Sequence, residues 1–211
     1  MTPPAATNET SSETKRRIVT AAQDRFMASG FSAVTMDDIS RDLGMSKKTL
    51  YEFFPGKLDL LLETSRAHRA QCERELDGAA QEKADFFVRA RKTFEHVARM
   101  YSRLTPVYMN DVRRNAPVVW AEIQEYRRTR VRRHMLSLLE QGVAQGVLRK
   151  DLDLEALVRL YLTMTSALLN PEISGWAPGE AIAPLFETFI RVYFEGLITD
   201  SGRKALGGKK S

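Results

Sequence analysis

The chain has 211 residues, enough for one compact body or a small domain joined to a larger one, and enough to bury a substantial core. Its 32 basic and 27 acidic residues are interspersed, so the net charge of +5 and pI near 9.4 allow a polyanionic partner without requiring one. The single cysteine, Cys72, excludes an intrachain disulfide and a zinc site built on paired thiolates. No apolar run of about 18 residues and no basic-then-apolar leader occurs, so neither a membrane span nor a signal peptide is expected and a reducing cytoplasm is the simplest location.

Residues 1–12, MTPPAATNETSS, carry two prolines and no apolar periodicity, and they read as a disordered arm. Residues 200–211 read the same way, as a flexible tail. Helical spacing dominates between them, with no alternating β-branched run, so an all-α protein is predicted. The first helix opens near Ser12 or Glu13, presents Ile18, Ala22 and Phe26 every four residues, and stops at Ser29-Gly30. Phe31 and Val34 read as core residues of a tight connection. Thr35 reads as an N-cap, with Asp37 and Asp38 in the first turn where the helix dipole favours anions, and Met36, Ile39 and Leu43 on one face. Gly44 then supplies a left-handed residue.

Ser46 caps the next helix, which carries Leu50, Phe53 and Phe54 at i, i+3 and i+4 before Pro55-Gly56 breaks the chain. From Lys57 a longer helix runs to roughly Gly78, with Leu58, Leu61, Leu62 and Ser65 as its predicted inner side. Further helical segments are expected around 81–104, 107–114, 117–145, 153–169 and 181–198, with NPEISGWAPG from Asn170 as the clearest loop. The expected domains are 13–57, a small three-helix unit, and 58–199, a larger helical body.

Two short helices joined by a glycine-containing turn form a helix-turn-helix, which places its second helix in the DNA major groove. Such a helix needs cations and hydroxyl donors in front and a rigid apolar back. Ser46, Lys47, Lys48, Thr49 and Tyr51 supply the front; Leu50, Phe53 and Phe54 supply the back. A solvated charged helix meets the same description on spacing alone.

The run GFSAVTMDDISRDLGMSKKTLYEFFPGKLDLL resembles the DNA-binding segment of TetR-family transcriptional regulators, over roughly residues 13–62. The likeness rests on Gly30-Phe31, Thr35, Asp38-Ile39, Leu43-Gly44-Met45-Ser46, Thr49-Leu50-Tyr51, Phe54, Lys57 and Leu60. It implies an N-terminal three-helix DNA-binding domain and a larger helical domain that dimerises and encloses a small-molecule pocket. By the same resemblance, Thr35 and Lys57 touch backbone phosphate at the heads of the second and fourth helices. Lys47, Lys48, Thr49 and Tyr51 lie on the recognition helix, capped by Ser46. Phe53 stands where histidine or tyrosine is frequent, so the donor often found there is missing. Ser40 stands where alanine is common, a small change in size. Glu52 has three open readings: a contact to cytosine, a solvated side chain, or a partner for Lys48.

The expected partners are therefore a roughly palindromic double-stranded DNA operator, a second copy of the chain and an unknown small-molecule effector, with no cofactor. Repression relieved by the effector is the family's usual mode, and activation or dual regulation is the alternative. The segments 153–169 and 181–198 are candidates for the dimer interface, because they carry more apolar surface than one contact face requires. Phe87, Phe94, Tyr101, Tyr108, Trp120 and Ile123 are candidate pocket residues and predict a largely apolar effector, although aromatics at helical spacing also serve as plain core. In YRRTRVRRH, the helical period brings Arg130 into the apolar cluster of Val119, Ile123 and Tyr126 with Arg127 at its edge; a ligand carboxylate or an acidic partner would satisfy either, or the side chain snorkels out to solvent. The rivals are a helical enzyme, for which only a His68–Cys72 pair and the isolated His96 and His134 offer chemistry, and an adaptor that binds protein alone.

Overall fold

A computed structural model describes residues 5–81, 85–175 and 182–207. Helices carry the described chain: α1 (Ala5–Ser29), α2 (Met36–Asp42), α3 (Lys47–Phe53), α4 (Lys57–Gln81), α5 (Phe86–Arg103), α6 (Pro106–Asn115) and α7 (Pro117–Tyr126) come first. A π-helical turn (Arg127–Val131) leads into α8 (Arg132–Ala144), followed by α9 (Leu154–Leu168), α10 (Pro171–Ser174), α11 (Ala183–Glu195) and α12 (Asp200–Gly207). The all-α prediction holds; among the described residues the only β feature is an isolated antiparallel bridge between Leu148 and Ile198. No helix among the described residues is long and apolar enough to cross a membrane.

Several boundaries differ from the sequence reading. The first helix extends back to Ala5, into the stretch read as an arm, because each added residue gains one backbone bond once the Ile18–Met27 part is packed. Part of the expected tail is also helical. Thr199 Oγ1 accepts from the Gly202 N–H at 3.0 Å, and Asp200 lies in the first turn, so α12 starts from a cap and an anion that the composition of the tail conceals. The expected helix 117–145 is interrupted: the Arg132 N–H reaches the Arg127 carbonyl, an i→i+5 bond. The segment expected to run to 198 stops at Glu195, and the chain after Gly196 pairs with residues 147–149, where the Arg149 N–H donates to Leu197 O at 2.9 Å and the Thr199 N–H to Val147 O at 3.0 Å. The loop from Asn170 holds the short α10, and residues 176–181 lie outside the described residues.

The chain forms two compact units: Met1–Ala70 with Val107–Glu122, and Gln71–Pro106 with Ile123–Ser211. In the first, the predicted stripe Ile18, Ala22 and Phe26 is buried, and Phe31, Val34, Met36, Ile39, Leu50 and Phe54 close around it. The inner face of α4 is Leu60, Leu61, Thr64 and Ser65, whereas Leu58, expected inside, is 42% exposed. The helical period puts Leu58 on the same side as Leu61 and Ser65, but as the second residue of α4 it stands at the exposed end of that face.

Long-range polar contacts add α6 and α7 to this unit, which no local pattern predicts. Asp111 on α6 accepts from the Ser32 N–H at 2.7 Å, from Ser32 Oγ at 2.5 Å and from Asn115 at 2.6 Å. Glu122 on α7 accepts from Arg66 and Arg69, each at 2.5 Å. Burial alone would raise the Asp111 carboxyl. The Ser32 and Asn115 hydrogen bonds and the charge of Lys57 outweigh it and hold the group below the usual carboxylate range. Gly30, at φ +86°, ends α1 beside this carboxylate, and a Cβ there would lie 2.9 Å from Asp111 Oδ2. Conformation and space both require glycine at that point.

In the second unit α8 packs against α5 and α9, and α11 against α5 and α9. Its interior is strongly aromatic: Phe94 meets Phe194 at 4.9 Å between ring centroids, and Phe86 meets Phe87 at 5.4 Å, both edge-to-face.

Asp111→Ala is expected to lower stability by about 1–3 kcal/mol, read as a lower urea midpoint with an unchanged slope. The native carboxyl is held below its ordinary value, so the difference is full at neutral pH and shrinks as acid protonates the native group.

Candidate nucleic-acid interface

Three local devices shape the helix-turn-helix. Thr35 and Asp38 form a capping box: Thr35 Oγ1 accepts from the Asp38 N–H at 3.2 Å, and Asp38 Oδ2 accepts from the Thr35 N–H at 3.0 Å. The Thr35 hydroxyl also donates to Asp38 at 2.6 Å, and this bond foremost holds the Asp38 carboxyl below its ordinary range. The turn is a Schellman motif in which the Met45 N–H bonds Ser40 O at 3.0 Å and the Gly44 N–H bonds Arg41 O at 3.1 Å. Gly44 takes φ +63° there. Ser46 then caps α3, accepting from the Thr49 N–H at 3.0 Å, while its hydroxyl meets that of Thr49 at 2.8 Å.

The α3 helix rests on Leu50, which is completely buried, and on Phe54 just beyond its end. The period of 3.6 then sends Lys47, Lys48, Tyr51 and Glu52 outward, and all four are exposed; Thr49 and Phe53 are half-buried. Thr35 and Ser46 are exposed as well. Exposure of Tyr51 at 47% leaves a phenol standing on the surface beside two ammonium groups.

Two lysines are placed in ways the sequence did not reveal. Lys47 forms an ion pair with Asp37 in the first turn of α2, so the aspartate read as a dipole partner also neutralises a cation of α3. Lys48 forms no ion pair among the described residues, and the Lys48–Glu52 pairing is absent. Lys57, read as a phosphate contact, turns inward instead: its Nζ donates to Phe31 O at 3.0 Å, Val34 O at 2.9 Å and Ser32 O at 3.4 Å, and lies 4.5 Å from the centre of the Phe31 ring. An ammonium has three protons, and all three have acceptors here. Lys57 thereby holds the head of α4 to the turn between α1 and α2.

The six candidate pocket residues fall in both units. Tyr108 is buried in the first unit with the half-buried Trp120, whereas Phe87 and Phe94 belong to the aromatic interior of the second and Ile123 is half-buried there. The Tyr101 side chain lies outside the described residues. The second unit instead contains a cavity of about 150 Å³ with a polar wall, lined by Glu73, Arg89, Tyr126, Arg130, His134 and Ser137 among others. Sequence reading missed Arg89, though Arg89, Thr93 and His96 at i, i+4 and i+7 form a polar stripe that a helix wheel exposes; all three are buried. Arg130 does turn to this cavity, yet it already has a partner in Glu73 at 3.1 Å. Arg127 is engaged elsewhere, donating to Leu162 O, Thr165 Oγ1 and Ser166 Oγ at 2.8–3.1 Å. Burial foremost, with the nearby Arg89 charge, pushes the His134 imidazole down to about 4, so it is neutral. Burial likewise pushes the Cys72 thiol up to about 11, which leaves a protonated, poorly nucleophilic sulfur.

Residue by residue, this is a helix-turn-helix of the kind that reads DNA, and the comparisons with known proteins agree. Residues 18–64 match the family described as bacterial regulatory proteins, tetR family. The chain is 41% identical over 58 residues to the HTH-type transcriptional regulator SrpR of Pseudomonas putida, and 40% identical over 58 residues to TtgW, an uncharacterized HTH-type transcriptional regulator also from Pseudomonas putida. Each match spans 26% of this chain, and it covers 27% of SrpR and 43% of TtgW. Likeness in fold extends much further: a TetR-family transcriptional regulator from Agrobacterium tumefaciens superposes with a TM-score of 0.72 over 89% of this chain and 99% of its own, at 18% identity. The relatives with a stated role are regulators of transcription, not enzymes.

Between about pH 6.5 and 4 the unfolded chain protonates His134 while the folded chain keeps it neutral, so stability is expected to fall by roughly 1–3 kcal/mol over that window. Urea titrations of the wild type and His134→Gln across that range check it; the variant should lose that part of the slope.

Proposed function

We propose that the protein is a sequence-specific transcriptional regulator that binds double-stranded DNA as a homodimer and is a repressor released from its operator by a small-molecule effector. The observation that carries the reading is α3: Lys47, Lys48 and Tyr51 face outward, with Thr49 half-buried beside them, from a helix whose back is fixed by the fully buried Leu50. Phosphates meeting its N-terminus would find two ammonium groups and free backbone N–H groups together. Thr35, Ser46, Lys47, Lys48, Thr49 and Tyr51 are the proposed contacts. Lys57 acts by positioning, with its ammonium held inside.

The dimer is supported by apolar side chains exposed on two neighbouring helices. Leu160 and Met164 stand 50% and 39% exposed on α9, while Leu185 and Val192 stand 43% and 66% exposed on α11. A second copy covering this patch would set two recognition helices about 34–36 Å apart, or a multiple of that, on a roughly palindromic operator. The effector acts from the second unit by altering the course of α4, which supplies residues to both units, so that affinity falls through geometry. Activation or dual regulation would use the same contacts with the opposite outcome for transcription.

Fragments selected by the purified protein from a genomic library identify the operator. On that operator, Lys47→Ala combined with Tyr51→Ala is expected to abolish specific binding with helicity and oligomeric state intact; unchanged affinity would remove α3 from the interface. Replacing Leu160 and Val192 together by arginine should turn the dimer into a monomer in sedimentation velocity, and a persistent dimer would assign the interface to another surface.

A further inference from the structure

The facing sides of α5 and α8 are polar where a helical core is ordinarily apolar. Arg89 and Thr93 of α5 meet His134, Ser137 and Gln141 of α8: Arg89 Nη1 donates to Gln141 Oε1 at 2.8 Å, Arg89 Nη2 to Ser137 Oγ at 3.2 Å, and Thr93 Oγ1 lies 3.2 Å from His134 Nε2. Arg89 is only 7% exposed, it forms no ion pair among the described residues, and its buried Nε has no hydrogen-bond partner. A buried guanidinium held by two neutral acceptors, with its Nε–H unused, is costly, and an anion would relieve that cost. The carboxylates near the cavity do not supply it: Glu73 is taken by Arg130 at 3.1 Å, and Asp77 is exposed. Arg133, a third arginine on the wall, also lacks an ion pair among the described residues, and the neutral His134 adds no competing positive charge.

We propose that this cavity is a receptor for a small organic acid, with Arg89 as the anchor of its carboxylate. The rest of the wall sets the body of the ligand. Leu76 and the Tyr126 ring offer apolar surface, and about 150 Å³ admits a molecule about the size of benzene. The ligand class is thus a compact monocarboxylate with an aromatic or short aliphatic body. The π-helical turn at Arg127–Val131 lies between Tyr126 and Arg133 on the wall and widens the helix there. The inference rests on the second unit being the effector-binding part of the proposed regulator, and it replaces the largely apolar effector with an acidic one.

Calorimetric titration of the full chain with benzoate, benzamide and inorganic phosphate at fixed ionic strength and without DNA tests it. Benzoate is expected to bind at least about tenfold more tightly than benzamide, its neutral isostere, and phosphate to bind weakly or not at all. Arg89→Met should abolish the preference for benzoate. Equal binding of benzoate and benzamide, binding of phosphate alone, or no benzoate binding at millimolar concentration would each overturn the proposal. So would an Arg89→Met variant that keeps the preference. If that variant fails to fold, the comparison of the three probes on the wild type still decides. The operator reading is judged separately: benzoate that binds but leaves operator affinity unchanged refutes induction and preserves the site, whereas absent benzoate binding leaves DNA recognition intact.

Discussion

The geometry of the helix-turn-helix depends on one ammonium group. Lys57 gathers the carbonyls of Phe31, Ser32 and Val34, the chain between α1 and α2, where no helix supplies backbone donors. Three unpaired carbonyls in a half-buried turn would each carry a desolvation cost of about 1–3 kcal/mol. One lysine at the head of α4 answers all three, and its charge gains further from the Phe31 ring beneath it and from Asp111 nearby. Asp111 binds the N–H and hydroxyl of Ser32 in the same turn. The turn is therefore clamped from α4 by a cation on its carbonyls and from α6 by an anion on its donors. Any motion of α4 or α6 must carry the turn with it or break charge-assisted bonds.

That arrangement explains which parts of the molecule were legible in the sequence. Caps, turns and stripes are written in neighbouring residues: the Thr35 cap, Gly44, the Ser46 cap and the Ile18–Ala22–Phe26 stripe all stand where local chemistry places them. The clamps are not written locally. Ser32 and Asp111 are 79 residues apart, and Arg66 and Glu122 are 56 apart, so no spacing rule joins them. Side chains with two plausible tasks were equally opaque. Lys57 at the start of a helix fits a phosphate or a set of carbonyls, and only its depth separates the two.

The second unit inverts the usual expectation about aromatic residues. Phe87 and Phe94 attract notice as a ligand wall, yet each meets another ring of the same unit edge to face, Phe87 against Phe86 and Phe94 against Phe194. A cavity among the described residues lies beside the arginines instead. Aromatic rings pack well against each other and leave little room, whereas guanidinium and imidazole groups require partners in particular directions and hold side chains apart. In this unit the cavity lies where the interior is polar, and the polar stripe of α5 marks that place.

The charges on α3 are also less free than their number suggests. Lys47 is paired with Asp37 on α2, whereas Lys48 has no ionic partner among the described residues. In the proposed complex, a phosphate approaching Lys47 must compete with a carboxylate already in place, so part of its attraction is offset by the repulsion of Asp37. Lys48 meets no such competitor. Two adjacent lysines that look equivalent in the sequence would thus divide the work in that complex, with Lys48 supplying the larger share of the salt-dependent attraction.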